Sequence, residues 1–192
     1  VKLLTVGASE LQTVQEYASE VRAGVESRLG FRVAGKLVER PVQLGQRVQA
    51  GQVLAQIDPQ DYQLSAAAAR AQVAAAQTQY ELAAADFQRF GKLREQNFIS
   101  GAELERRESA LKAARSQLQQ AQAQAQAQGN QAQYTRLQAD ASGVVTGIDA
   151  EPGQVLAAGT PVLRLAHDGA RDVVIAVPED KVGQIQPGQD VT

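Results

Sequence analysis

The sequence predicts a mixed α and β chain: a long antiparallel α-helical coiled-coil hairpin inserted between two halves of one small β-sandwich, with an incomplete β-domain outside it. Three observations predict this. Nineteen of the 20 Val residues and all six Pro lie outside residues 60–138, an interval whose 79 residues hold 20 Ala and 17 Gln; strand formers sit at both ends and helix formers in the middle. Inside that interval, apolar residues recur at alternating spacings of four and three. The two flanks carry glycines that repeat at a constant offset of 108.

The chain opens with Val1 to Val21, which includes alternating stretches such as Leu11 to Tyr17 and reads as strand. The first half of the repeat then follows, with Gly35, Gly45 and Gly51 matched by Gly143, Gly153 and Gly159 in the second half. Apolar positions match at the same offset: Leu37 with Val145, Val48 with Leu156, Leu54 with Val162, and Ile57 with Leu165. Short Val-rich runs between such glycines read as strands joined by tight turns, the glycines supplying positive φ. Two similar halves packed face to face would make one sandwich.

Between the halves, Tyr62, Ala66, Ala69, Val73, Ala76, Tyr80, Ala83, Phe87 and Phe90 form one heptad seam, and Leu64, Ala68, Ala71, Ala75, Thr78, Leu82 and Ala85 form a second beside it. The following stretch repeats Leu104, Leu111, Leu118, Ala125 and Ala132 at intervals of seven. The alternating Ala and Gln of residues 121–128 continue that frame, so they read as helix. In the connection, Ser100 suits an N-cap accepting from the Glu103 N–H, the Glu103 carboxylate can reach back, and Ile99 can staple onto Leu104. A link this short forces an antiparallel hairpin. Beyond the second half, Asp172 to Val177 reads as a strand meeting the first, and Glu179 and Asp180 follow Pro178 at an expected helix start.

Composition excludes several functions. With 19 basic and 21 acidic side chains there is no cationic excess for nucleic acid. The absence of Cys and the single His, His167, exclude disulfides, thiol catalysis and multi-histidine metal sites. No run approaches a membrane span. The sequence has no Met, so it reads as a trimmed piece of a longer parent. His167 reads as a surface-turn histidine, and the paired carboxylates Glu103/Glu105 and Glu179/Asp180 as helix-start charges. Arg106 and Arg107, beside Glu105 and Glu108, read as a solvated mixed-charge face. No nucleophile elbow or phosphate loop is present, and the chain reads as a non-enzyme without cofactor or metal.

These residues resemble the periplasmic adaptor subunits, or membrane fusion proteins, of tripartite efflux pumps of the resistance-nodulation-division type. The split Gly-x9-Gly-x5-Gly repeat resembles the halves of a lipoyl-like domain, and Gly51 to Tyr62 resembles that family's exit into its hairpin. The resemblance implies a partial β-barrel domain from residues 1–22 and 168–192, a lipoyl-like β-sandwich from 23–59 and 139–167, and the hairpin over 60–138. It further implies a periplasmic protein, anchored to the inner membrane in its complete form, that links an inner-membrane transporter to a TolC-like outer-membrane channel and exports small toxic compounds. Copies would self-associate into a trimeric or hexameric sleeve.

At the hairpin tip, Arg89, Leu93 and Ser100 have the spacing by which this family engages the channel. Arg offers a forked donor, Leu an apolar knob, and Ser a cap that still faces outward. The same-class alternative is an adaptor of an ABC-type exporter or a type I secretion system. A lipoyl or biotinyl carrier is the alternative of different class. Its lysine would belong in a tight β-turn where this sequence instead carries the hairpin, whose only lysines are Lys92 and Lys112.

Overall fold

The computed structural model describes residues 16–188. They divide into two compact units, one holding the described residues up to Val25 and from Gly169 onward, the other Glu26–Asp168.

In the smaller unit, β1 (Ser19–Ala23) pairs antiparallel with β10 (Arg171–Ile175), Val21 lying opposite Val173. The expected strand over Val1 to Val21 lies mostly outside the described residues; within them, Glu16 to Ala18 is not strand and Ser19 to Val21 is. The Arg22 guanidinium, 2.7 Å from the Glu20 carboxylate, bonds it and holds it below the usual carboxylate range. After Pro178 the expected helix does not form: Lys181 N–H donates to Pro178 O, and a single 3-10 turn, Val182–Gln184, follows. With Pro187 closing the segment and a glycine at position 183, there is no room for a stable α-helix.

The larger unit contains the glycine repeat. Its first half supplies β3 (Gly35–Glu39), β4 (Arg47–Val48) and β5 (Val53–Ile57), and its second half β7 (Gly143–Ile148), β8 (Val155–Leu156) and β9 (Pro161–His167). With β2 (Glu26–Gly30) and β6 (Arg136–Gln138) they make two four-stranded sheets, ordered β2-β9-β7-β4 and β6-β5-β3-β8. The halves therefore exchange strands, β4 pairing with β7 and β8 with β3. All eight matched apolar positions are buried in one shared core.

The repeat extends to hydrogen bonds. Gly45 N–H donates to Val145 O and Gly153 N–H to Leu37 O, while Gly51 donates to Ala139 O and Gly159 to Phe31 O, again 108 apart. Ladder irregularities also coincide, falling between Leu37 and Glu39 and between Val145 and Gly147.

The glycines divide into two physical kinds. Gly45, Gly51, Gly153 and Gly159 have positive φ, as turns require. The leading glycine of each half is different from that expectation. A Cβ on Gly35 would lie 2.9 Å from Ile57 Cδ1, and one on Gly143 would lie 2.1 Å from Ala166 O, so these positions are glycine for close approach.

Two helices leave and re-enter between β5 and β6: α1 (Gln60–Glu95) and α2 (Gly101–Gln133). They are antiparallel neighbours, since Arg107 lies over the Phe90 ring near the turn while Arg70 and Val73 share a groove with Gln122 to Gln133 near the base. Every residue of the first seam is buried or half-buried and every residue of the second is exposed, so the aromatic-bearing seam is the one that packs. Leu104, Leu111, Leu118, Ala125 and Ala132 are likewise buried or half-buried.

The expected helical segment 60–138 ends early, because Thr135, Leu137 and Ala139 are buried on alternate positions. That is strand period, and Leu137 lies opposite Ala55. Both helix roots are tied to the loop between β2 and β3: Tyr62 OH donates to Ala34 O at 2.8 Å, and the Arg32 guanidinium sits 4.0 Å from the Tyr134 ring centroid.

Candidate functional site

The far end of the hairpin holds all three residues implicated by sequence. Helix α1 finishes with Asn97 N–H donating to Arg94 O and Phe98 N–H to Leu93 O, both at 3.0 Å. Asn97 is left-handed at φ 61. This is a Schellman stop, which satisfies the last carbonyls of a helix and turns the chain sharply. Helix α2 starts at once, with Ser100 extended and its Oγ accepting from Glu103 N–H at 3.3 Å.

Only that half of the expected capping box forms. The Glu103 carboxylate instead holds Arg106 and Arg107. Arg107 also lies 4.4 Å from the Phe90 ring centroid, so it is not simply a solvated charge: it covers the last aromatic of the seam. Ile99 and Leu104, the expected staple pair, are both half-buried.

Arg89 projects from α1 with its side chain 67% exposed, bonded to Asp86 at 2.6 Å one turn back. An exposed pair of this spacing is weak, which leaves the guanidinium available for exchange onto another acceptor. Leu93 is half-buried rather than a bare knob, and Ser100 is exposed as well as capping. Sequence reasoning missed Phe98, which is 73% exposed. Its signal was the pairing of Asn97 with an aromatic residue just beyond a helix end. Ser100→Ala should lower stability by about 1 kcal/mol through loss of the cap, measurable as a small fall in the melting of helical circular dichroism.

His167 requires a correction. It is the last residue of β9 rather than part of a turn, with its Nε2 2.8 Å from Ser27 Oγ and 3.4 Å from Asp140 Oδ1. Ser27 Oγ donates to Asp140 Oδ2 at 2.5 Å. Serine, histidine and aspartate together invite a hydrolytic reading, but the geometry does not support it. A triad places serine and carboxylate on opposite ring nitrogens, whereas here both approach Nε2. The cluster ties β2 and β9 to the loop after β6.

Residues 25–165 match the family described as RND MFP, barrel-sandwich hybrid domain. The chain belongs to the RND membrane fusion protein family. It is 30% identical over 160 residues to the multidrug resistance protein MdtA of Yersinia pseudotuberculosis serotype O:3 (strain YPIII), covering 82% of this chain and 36% of the relative. The chain thus spans little more than a third of the curated relatives it matches.

Two solved structures share the fold. MacA from Actinobacillus actinomycetemcomitans matches with a TM-score of 0.64 at 22% identity, covering 91% of this chain and 60% of that one. The membrane fusion protein Spr0693 from Streptococcus pneumoniae R6 gives 0.65 at 20%, covering 91% and 74%. Among the described residues, no helix of this membrane fusion protein is long and apolar enough to cross a membrane.

Proposed function

We propose that the chain is the hairpin-bearing part of a periplasmic, non-enzymatic adaptor that links an inner-membrane RND transporter to a TolC-like outer-membrane channel for export of small toxic compounds. In this reading the smaller unit belongs to a β-barrel domain, the two sheets are a lipoyl-like sandwich, and residues 60–133 are the arm that reaches the channel. The MdtA relative, named for multidrug resistance, supports the export of toxic compounds.

The observation that carries the reading is mechanical. A hairpin of 36-residue and 33-residue helices, about 54 Å long at the rise of an α-helix, is tied at its base to the β2–β3 loop through Tyr62 and Arg32 and carries Arg89, Leu93 and Ser100 at its free end. Lys92 and Lys112 are both helical, so neither occupies the β-turn that a lipoyl or biotinyl carrier needs.

The second seam supports lateral self-association. It runs along α1 with Leu64 and Leu82 each about three-fifths exposed, at 62% and 60%, leaving a heptad-spaced stripe for a neighbouring copy in a trimeric or hexameric sleeve. In the complete parent protein, Leu64→Glu with Leu82→Glu should leave helix content unchanged and abolish crosslinking between copies. Crosslinked purification of the parent from its native envelope tests the linking role: an RND transporter and an outer-membrane channel should be recovered together. Recovery of an ATP-hydrolysing exporter would assign the adaptor to an ABC-type system, and recovery of neither membrane partner would overturn the reading.

A further inference from the structure

We infer that Phe98 is the apolar anchor by which the tip docks on the channel, and that Asn97 is the residue that positions it. The inference rests on the tip reading above and names the contact that reading lacks. In a Schellman stop the residue after the left-handed position commonly folds back over the residue whose carbonyl it caps, which here is Leu93. Phe98 makes that backbone bond, yet its side chain stays 73% exposed while Leu93 is half-buried. Among the described residues it is the one exposed aromatic, and Asn97 is the one non-glycine residue with positive φ.

The loop that carries the ring is fixed from three directions. The Schellman bonds hold its start, Arg94 Nη1 donates to Ile99 O at 3.1 Å across it, and Ser100 caps the next helix. A bare aromatic on a loop already closed loses little conformational freedom on binding, and large rigid side chains seated in desolvated pockets dominate protein interfaces. The occupant we assign is an apolar pocket on the outer-membrane channel of that same reading. Exposed Lys92 and Glu95 supply charges of both signs on the last turn of α1, just before the ring in sequence, which suits a polar protein rim. A bilayer would call for a broad apolar face, and a single ring does not make one.

The test uses the complete parent protein and its purified channel, scored by crosslinked capture, with helix content measured for each variant. Phe98→Ala should lower capture about tenfold or more and Phe98→Leu should retain much of it. Asn97→Gly, which keeps the left-handed turn, should bind as the parent does, whereas Asn97→Val, β-branched and opposed to positive φ, should lose capture as Phe98→Ala does. If Phe98→Ala is captured normally while Arg89→Asp is not, the anchor is wrong and the tip reading survives. If all are captured normally, both fall. Loss of capture with Phe98→Ala but not with Asn97→Val would overturn the positioning role. Loss of binding to anionic lipid vesicles with unchanged channel capture would assign the ring to a membrane and overturn the proposal.

Discussion

Gly143→Ala should disrupt the paired sheets, while Gly129→Ala should strengthen the hairpin. At Gly143, the first residue of β7, an added Cβ would meet Ala166 O at 2.1 Å, Ala166 C at 3.0 Å and His167 Cα at 3.1 Å. All three are backbone atoms of β9, the strand to which β7 pairs with Gly143 opposite His167. No rotamer change relieves such a clash, so β7 must move away from β9 and loosen a ladder that holds the exchanged halves together. Overpacking of this kind costs about 3 kcal/mol or more, a large share of the 5–15 kcal/mol that typically stabilises a domain (roughly). The apparent melting temperature should fall by about 6–12 °C. Gly129, in the interior of α2 with nothing within 4 Å of its virtual Cβ, should instead gain about 1 kcal/mol as Ala. Thermal melts by circular dichroism distinguish the two, and a Gly143→Ala protein melting like the parent would show that the β7–β9 approach is wrong.

Much of this fold was legible because its repeats are physical rather than statistical. A spacing of four and three places residues on one helical face whatever the residue types, so both seams were legible, while burial alone shows that the one from Tyr62 to Phe90 lies inside and the second outside. The sequence could also show that residues 35–57 and 143–165 are alike. It could not show that they trade strands, because similarity between halves carries no information about which edge each strand pairs with; β4 beside β7 and β8 beside β3 become visible only in space. His167 was misplaced for the same reason, its partners Ser27 and Asp140 lying 140 and 27 residues away. The end of α2 was misjudged because Thr135, Leu137 and Ala139 alternate over too few residues to outweigh the heptad frame before them. At the tip, the family resemblance singled out Arg89, Leu93 and Ser100 but could not give their exposure, and exposure is what separates the half-buried Leu93 from the bare Phe98.

If the tip docks as proposed, Arg89→Asp should sharply lower capture of the outer-membrane channel and efflux in the complete parent protein while leaving the hairpin folded. Among the described residues, Arg89 has weak, exchangeable partners on its own helix: Asp86 at 2.6 Å and the Phe90 ring, 5.7 Å to its centroid. Replacing it sets Asp86 and Asp three residues apart, a like-charge pair costing about 0.2–0.5 kcal/mol, too little to melt paired helices of 36 and 33 residues. At a partner surface the change is far larger, since a forked donor is lost and an anion faces whatever carbonyls or carboxylates it had served. Capture should fall about tenfold or more, with association with the inner-membrane transporter unchanged. Leu93→Ser should act in the same direction, but Leu93 is half-buried, so part of its effect, about 1 kcal/mol, is lost packing. Leu118→Ala separates the two causes. Leu118 is buried in the seam, so truncation should cost about 2–5 kcal/mol and lower the melting temperature more than Leu93→Ser does, yet it lies well down α2 from the tip and should leave channel capture intact. If the Arg89 variant folds and still binds the channel, or if Leu118→Ala loses capture as Leu93→Ser does, the tip is not the docking site and the hairpin serves the assembly only as a strut.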